Sequence, residues 1–187
     1  MTNHSSNGLP TPPHYDTVSR FLHWTILALL ISEFTIAWAM PEVEKDTRPD
    51  GLIAWHLFFG TLILTVVLLR ILWRFTHPVP ESVPMPRWQE LSAKITHKLL
   101  YVVLFALPLM GWANASSRGW DVRLFGTISL PAMAPKGSNW GHALGDVHHA
   151  VAIGLLVLIG LHVAAAVYHQ WILRDGLLQR MLPPRSP

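Results

Sequence analysis

Four long apolar runs dominate this chain of 187 residues and limit the folds open to it. They cover residues 22–40, 52–73, 97–115 and 148–171. Each is close to the roughly 20 residues that a helix needs to cross about 30 Å of hydrocarbon. With 51% hydrophobic and 13% charged residues, the chain is too apolar for an ordinary soluble domain. The sequence therefore predicts an all-α integral membrane four-helix bundle over residues 16–183, preceded by a flexible polar tail at residues 1–15.

The chain contains no cysteine, which excludes several kinds of site. Disulfides, thiolate metal sites, iron–sulfur clusters and the covalent Cys-x-x-Cys-His attachment of haem all require cysteine. The net charge of +3 comes from Lys and Arg in short patches between the apolar runs. Such patches are typical of loops beside a membrane, so we expect lipid as a partner and no nucleic acid.

The distribution of Lys and Arg predicts the orientation of the bundle. The first connector, "PEVEKDTRPDG", holds one Lys and one Arg among four acidic residues, whereas residues 70–98 and the C-terminal residues from 174 onward together hold eight basic side chains. Cytoplasmic loops favour Lys and Arg, while acidic residues matter little. We therefore expect both termini and the second connector on the cytoplasmic side of a bacterial inner membrane.

The third connector is an exception to this charge rule. It carries Arg118, Arg123 and Lys136 although it is expected outside the cell membrane, close to the ends of the third and fourth helices. A basic collar there would concentrate a small anion and speed its encounter with the protein. The alternatives are an ordinary solvated loop and a docking surface for an acidic partner protein.

Four histidines occur at matched depths in the apolar runs. His148 and His162 are fourteen residues apart, so they share one helix face and lie about 21 Å apart along the axis. On the second helix, which is expected to run inward like the fourth, His56 falls at the outer depth of His148. His23 falls at the inner depth of His162. Two facing imidazoles suit the two axial positions of a haem iron, whereas histidines simply hydrogen-bonded within the bundle are the alternative.

Two further polar residues fall at the inner depth. Arg70 follows His56 by fourteen residues and therefore faces the same side, where a haem propionate or a lipid phosphate would satisfy it. His97, at the start of the third run, could bond a haem propionate, contact a quinone or cap the helix. The sequence leaves these alternatives open.

Glu33 lies near the middle of the first run, where a carboxyl group is costly and is by default a functional candidate. It could carry protons, pair with a polar group on another helix, or remain neutral and hydrogen-bonded. Gly60, one turn after His56, would let a flat macrocycle approach the backbone. Pro108, in the middle of the third run, predicts a local kink.

The other histidines and arginines near the runs are expected to have peripheral positions. His142 is expected in a loop, and His149 about 100° around the helix from His148. We expect His169 at the membrane interface, and Arg20 and Arg74 extended towards lipid headgroups.

Several motifs resemble the bacterial cytochrome b561 family of four-helix dihaem membrane cytochromes, which includes superoxide oxidases and the b-type subunits of hydrogenases. The resemblance extends from residue 15 to residue 183. The motifs are "RFLHW", "WHLFFG", "VVLLRILWR", "THKLLYVVLFALPLMGW", "SSRG", "DVHHAVAIGLLVLIGLHVAAAVYH" and "LLQRMLP". The resemblance implies that His23, His56, His148 and His162 are the axial ligands of two haem b groups.

The same resemblance implies a function. The compact length and the lack of an extra domain are most like a superoxide oxidase, which would oxidise superoxide on the periplasmic side and reduce ubiquinone in the membrane. Arg118, Arg123 and Lys136 would then steer superoxide to the outer haem, although they match such oxidases only in part. A cytochrome b anchor for a partner dehydrogenase or hydrogenase is the alternative. A histidine-lined metal transporter is less favoured, because it would need carboxylates near the histidines and a polar path.

Overall fold

Four long helices form the protein. The computed structural model describes residues 14–44, 46–81 and 83–183. The helices are α1 (Thr17–Ala39), α2 (Gly51–Thr76), α3 (Arg87–Ser117) and α4 (Asn139–Tyr168). All four are long and apolar enough to cross a membrane. They pack in chain order, α1 on α2, α2 on α3 and α3 on α4. The predicted all-α membrane four-helix bundle is confirmed.

Hydrogen bonds between helix ends show that neighbouring helices are antiparallel. Trp73, near the end of α2, donates from Nε1 to Asp16 Oδ1 at the start of α1, over 3.0 Å. Ser117, at the end of α3, lies 3.3 Å from the ring of His142 in the first turn of α4. The bundle therefore has a terminal end, carrying residues 14–16, 77–81, 83–86 and 174–183, and a connector end, carrying residues 40–44, 46–50 and 118–138.

Two side chains define where helices begin. Asp16 caps α1, because its Oδ1 accepts from the Ser19 backbone N–H over 2.9 Å and its Oδ2 from the Ser19 hydroxyl over 2.6 Å. Ser138 caps α4 by accepting from the N–H of Gly141 over 3.3 Å. Partial burial acts to raise the pKa of Asp16, but the hydrogen bonds from Ser19 and Trp73 outweigh it and hold that pKa below its ordinary value.

The helices extend beyond the apolar runs. Helix α3 begins at Arg87, ten residues before its run, and α4 begins at Asn139, nine residues before its run. Polar first turns outside the hydrocarbon do not register in an apolar pattern, which explains the difference. His142 is consequently in α4, so its expected position in a loop was wrong. His97 lies ten residues inside α3, and its possible role as a helix cap is excluded.

The core lies where α1, α2, α3 and α4 meet between the two ends. Its buried members are Leu22, Ile26, Leu30, Ile63, Val66, Val67, Leu104 and Leu155. Val67 is 0% exposed. Large apolar side chains on the outer helix faces, such as Phe21, Trp55 and Leu161, remain exposed. This distribution is expected of a bundle whose outer surface contacts lipid.

The C-terminal segment closes the terminal end. After α4, a π turn (His169–Leu173) and a 3₁₀ turn (Leu178–Met181) bring the chain back across the bundle. Arg20 donates from Nη1 to the carbonyl of Leu182 over 2.8 Å, and Trp24 donates from Nε1 to that of Met181 over 2.9 Å. Arg20 is thus bound to protein rather than extended towards headgroups as expected. Residues 1–13 of the predicted tail lie outside the described residues.

A short hairpin closes the connector end beside α2. Strand β1 (Arg123–Leu124) pairs antiparallel with β2 (Ile128–Ser129). The carbonyl of Arg123 lies 3.4 Å from the hydroxyl of Thr61 in α2. The chain just before the hairpin is held inside, because Val122 is 4% exposed. The α3–α4 connector therefore packs against α2 and covers this end of the bundle. The sequence did not predict this packing.

We predict that Gly141→Ala destabilises the bundle. A Cβ at this position would lie 2.6 Å from Ser117 Cβ and 3.1 Å from Ala134 Cβ, so α3 and α4 would have to separate. Overpacking of this kind costs about 1–3 kcal/mol. Thermal unfolding in detergent should therefore occur at a lower temperature than in the wild type. Gly154→Ala in the same helix is the control, because nothing lies within 4 Å of the place that its added methyl group would take. Equal unfolding temperatures for the two variants would contradict the prediction.

Candidate functional site

The structure brings together the two histidines predicted at the outer depth. His56 lies in the second turn of α2 and His148 in the third turn of α4. Their ring centroids are 6.0 Å apart, and the ring planes are 78° from parallel. Both helices enter from the connector end, so this pair belongs to the connector half of the bundle.

A second histidine pair lies in the terminal half. His23 in α1 and His162 in α4 have ring centroids 6.3 Å apart, with ring planes 71° from parallel. His97 of α3 contacts the same group, with its centroid 5.3 Å from that of His162. Among the described residues, no hydrogen bond joins the rings of His23 and His162 to a protein group.

The spacing of both pairs fits a metal between two imidazoles. An imidazole nitrogen lies about 2 Å from the metal that it binds. Two rings on opposite sides of one metal therefore have centroids about 6 Å apart. The observed separations of 6.0 and 6.3 Å meet this requirement, whereas two rings packed on each other in a stack would be closer. The spacing of each pair, one in each half of the bundle, is thus compatible with one metal bound between the two rings.

The Nδ1 atoms of the connector pair both lie close to oxygen atoms of the protein. His148 donates from Nδ1 to the carbonyl of Leu107 over 3.0 Å. Glu33 Oε1 lies 3.0 Å from Nδ1 of His56. With Nδ1 carrying the proton, Nε2 of each ring keeps its lone pair for a metal. Gly111 makes room for this arrangement, because a Cβ there would lie 3.1 Å from His148 Cε1.

A cavity of about 510 Å³ surrounds the connector pair. Its walls come from all four helices and from Trp120 and Val122 of the α3–α4 connector, and most of them are apolar. Gly60 lines the cavity as expected, but its open side faces Glu33, whose Oε1 would lie 3.6 Å from an added Cβ. The volume and apolar lining suit a flat hydrophobic cofactor.

Five cavity-lining side chains carry buried polar atoms without a hydrogen-bond partner among the described residues: Glu33 Oε2, His56 Nδ1, Trp112 Nε1, Asn114 Oδ1 and Arg118 Nε. Trp112 and Arg118 offer N–H donors, so an acidic group on a bound cofactor would satisfy both. The sequence analysis did not identify Trp112 or Asn114. Both residues follow Pro108 by one to two turns on the helix that faces His148, and this position is the sequence feature by which they could have been identified.

A family model described as prokaryotic cytochrome b561 matches residues 14–184. The chain belongs to the prokaryotic cytochrome b561 family. The resemblance drawn from the motifs is therefore confirmed. As a member of this family, the protein is a bacterial membrane protein that transfers electrons with haem b, and the paired histidines and the apolar cavity fit that cofactor.

Three relatives show how far the likeness of this cytochrome b561 extends. It is 31% identical over 176 residues to the probable superoxide oxidase CybB of Yersinia pestis, covering 91% of this chain and 97% of the relative. It is 27% identical over 180 residues to cytochrome b561 homolog 2 of Escherichia coli (strain K12), covering 94% and 95%. It is 28% identical over 179 residues to cytochrome b562 of Cereibacter sphaeroides, covering 92% and 98%.

The three basic residues of the α3–α4 connector differ in their surroundings in this cytochrome b561. Arg118 lines the cavity, donates from Nη1 to the carbonyl of Glu44 over 3.3 Å and lies against the Trp120 ring. Lys136 is exposed, and its stem passes over Gly119, next to Arg118. Arg123 instead points to Asp121, with 2.7 Å between Nε and Oδ2. The predicted collar therefore consists mainly of Arg118 and Lys136.

The pairing of Arg123 weakens its contribution to the collar. Hydrogen bonds from Arg123 and Ser129 lower the pKa of Asp121, so this carboxylate stays charged at neutral pH. The two opposite charges of Asp121 and Arg123 largely cancel at a distance. Arg123 therefore adds less net positive charge to this surface than Arg118 and Lys136 do, and the joint role of the three residues stays a prediction.

Two polar residues surround the terminal histidine pair of the cytochrome b561. Arg70 donates from Nη1 to the carbonyl of Ser19 over 2.6 Å and from Nε to the hydroxyl of Tyr101 over 3.1 Å. Its position is therefore fixed by protein groups on α1 and α3, while Nη2 remains for a further acceptor. His97 is held beside His162. Both side chains could contact an acidic or carbonyl oxygen at this site.

His169 is inside the protein rather than at the interface. It is 8% exposed and begins the π turn, and its Nδ1 lies 2.5 Å from Asp175 Oδ2. The expected interfacial position was wrong, because the C-terminal segment folds back and covers this ring. A π turn at this point lets the chain leave α4 and place Asp175 against His169.

Proposed function

We propose that this cytochrome b561 binds two haem b groups, oxidises superoxide at the connector end and reduces ubiquinone. The observation that carries the proposal is the presence of two histidine pairs, with centroids 6.0 and 6.3 Å apart, in opposite halves of one membrane bundle. In the overall reaction, two superoxide ions each lose one electron and become dioxygen. One ubiquinone takes up the two electrons and two protons and becomes ubiquinol.

The histidines provide both axial ligands at each site in this proposal. His56 and His148 hold the connector-side haem, and His23 with His162 hold the terminal-side haem. A haem iron with two axial imidazoles supplies one-electron transfer and has no position open for dioxygen. Two sites in opposite halves of the bundle are what an electron carrier between an aqueous donor and a membrane acceptor requires.

Other side chains bind the acidic groups of the cofactors. Trp112 Nε1 and Arg118 Nε are unpartnered donors at the connector-side cavity, so we assign them to haem propionate oxygens. At the terminal side, Arg70 Nη2 and the ring of His97 are available to an acceptor oxygen of a propionate or a quinone carbonyl. A propionate and a quinone carbonyl would be bound in the same way, by a hydrogen bond to an oxygen acceptor.

The identity of the donor rests on charge and on one relative. Arg118 and Lys136 form a basic surface next to the connector-side cavity, which favours a small anion. The relative with 31% identity is named a probable superoxide oxidase. The Lys and Arg distribution supports a periplasmic connector end and cytoplasmic termini in the inner membrane. The terminal end then takes up the protons for quinone reduction from the cytoplasm.

We predict that each histidine pair can be removed separately. His56→Ala and His148→Ala should each lose the connector-side haem and keep the other, because a single imidazole no longer holds the iron on both sides. His23→Ala and His162→Ala should do the reverse. Pyridine haemochrome analysis should give two haem b per wild-type chain and one per variant, and redox titration should show which haem remains.

His149→Ala is the matched control for this experiment, because His149 is the neighbour of His148 and is exposed. It should keep both haems. Loss of a haem from His149→Ala but not from His148→Ala would show that the assigned helix face is wrong. Retention of both haems in all four pair variants would refute the ligand assignment.

We predict that superoxide reduces the purified protein rapidly and that surface charge sets the rate. Lys136→Gln, which changes a charge outside the assigned propionate contacts, should slow haem reduction severalfold at low ionic strength, since local charge steers the encounter with an anion. Asp121→Asn should speed it, because it leaves the charge of Arg123 uncompensated. Stopped-flow absorbance during mixing with superoxide measures each rate.

Salt separates steering from damage to the haem site. Added salt should slow the wild type and reduce the differences among the variants, because the Debye length is about 10 Å at 0.1 M ionic strength. The visible spectra should remain unchanged. A rate that ignores both salt and these charges would remove the steering role. No reduction by superoxide at all would favour the alternative, a cytochrome b anchor that receives electrons from a partner dehydrogenase or hydrogenase.

A further inference from the structure

A carboxyl group from α1 meets the imidazole of His56 in the interior of the bundle. Glu33 Oε1 lies 3.0 Å from His56 Nδ1, and the side chains are 15% and 20% exposed. The two atoms are within hydrogen-bond distance, although the N–H bond does not yet point at the oxygen. Glu33 Oε2 is buried and has no partner among the described residues.

The position of Glu33 is hard to explain by packing. It lies seventeen residues into a membrane-spanning helix, where its neighbours Ile36 and Phe34 are apolar. An acidic residue at such a depth is expensive and persists only with a polar partner or a task. Other polar residues nearby on α1 satisfy themselves locally, because Ser32 and Thr35 donate to backbone carbonyls of their own helix. Glu33 instead reaches across to α2.

The two connector-side histidines have different partners for the nitrogen that faces away from the iron site. His148 Nδ1 is paired with a backbone carbonyl, that of Leu107, at 3.0 Å. His56 Nδ1 instead has a carboxyl oxygen, Glu33 Oε1, 3.0 Å away. A hydrogen-bond acceptor on this nitrogen fixes the tautomer and the ring orientation of a metal-binding histidine, and a carboxyl oxygen also makes the ring a stronger donor.

We propose that Glu33 is a positioning residue whose carboxyl accepts a hydrogen bond from Nδ1–H of His56. This hydrogen bond fixes the direction of His56 Nε2 and strengthens the bond between Nε2 and the connector-side haem iron. This inference rests on the haem ligation proposed above. It assigns to Glu33 a partner on another helix rather than a proton-carrying task. Gly60 lies beside this contact, since an added Cβ would come within van der Waals distance, 3.6 Å, of Glu33 Oε1.

The proposed contact has a measurable electronic consequence. A more strongly donating axial ligand stabilises oxidised iron more than reduced iron, so the carboxyl lowers the midpoint potential of the connector-side haem. It also sets the angle of the His56 ring plane. The electron paramagnetic resonance spectrum of a low-spin ferric haem depends on that angle, so orientation can be read independently of potential.

The test compares Glu33→Leu, Glu33→Gln and Ser32→Ala in the full-length protein loaded with haem. Glu33→Leu removes the acceptor, so we expect a higher midpoint potential and a changed resonance for the connector-side haem alone. Glu33→Gln keeps an acceptor oxygen, so its paramagnetic resonance spectrum should match that of the wild type. Its midpoint potential should lie between those of the wild type and Glu33→Leu. Ser32→Ala removes a hydroxyl that bonds only within α1, and it should match the wild type in both measurements.

The outcomes separate this proposal from the ligand assignment. If Glu33→Leu keeps both haems with wild-type potentials and resonances, Glu33 does not position His56, while the ligand assignment stands. A shift confined to the terminal-side haem, or equal shifts in Ser32→Ala, would also overturn the proposal. If Glu33→Leu fails to fold, the potential of Glu33→Gln decides, and an unshifted value counts against the proposal. Retention of both haems by His56→Ala would instead refute the ligation on which the proposal rests.

Discussion

An imidazole inside a membrane must find its partners within the protein, and the bundle is arranged around this requirement. No water is available in the hydrocarbon to satisfy a ring nitrogen, so each unmet group costs free energy. At the connector-side pair, Nδ1 of His148 is satisfied by the carbonyl of Leu107, and Nδ1 of His56 lies 3.0 Å from Glu33 Oε1 without an aligned hydrogen bond. In the proposed function, the other nitrogen of each ring would bind the haem iron. A bound haem would then complete an arrangement that the helices alone leave open.

This requirement also explains the close approach of particular helices. Helix α3 can lie against α4 because Gly111 stands where a methyl group would meet the His148 ring at 3.1 Å, and Gly141 stands where one would meet Ser117 at 2.6 Å. The close approach at Gly141 holds α3 and α4 together, and the one at Gly111 shapes the histidine site. Small residues therefore serve packing between membrane helices and also define the space into which a ligand ring fits.

The two ends of the bundle are built differently. The terminal end is joined by hydrogen bonds between the start of α1 and the C-terminal segment, such as those from Arg20 to Leu182 and from Trp24 to Met181. The connector end is closed by the short hairpin, with Val122 buried below it and Arg118 at the edge of the cavity. Such a difference suits the proposed function, in which an aqueous donor would meet the connector end and a lipid-soluble acceptor would bind near the other.

The sequence by itself determined the four membrane spans, their antiparallel order and the depths at which histidines recur, because hydrophobic length and helical period are local properties. It also placed Glu33 at a depth that demands a partner. Only the tertiary structure decided that Glu33 lies beside His56 and that Arg123 pairs with Asp121. It also decided that His142 and His97 lie inside helices. These features depend on contacts between distant segments and on polar helix ends, which carry no periodic signal. The sequence around a polar residue shows that burying it in the membrane is unfavourable in free energy. Which group offsets that free energy depends on how the helices pack.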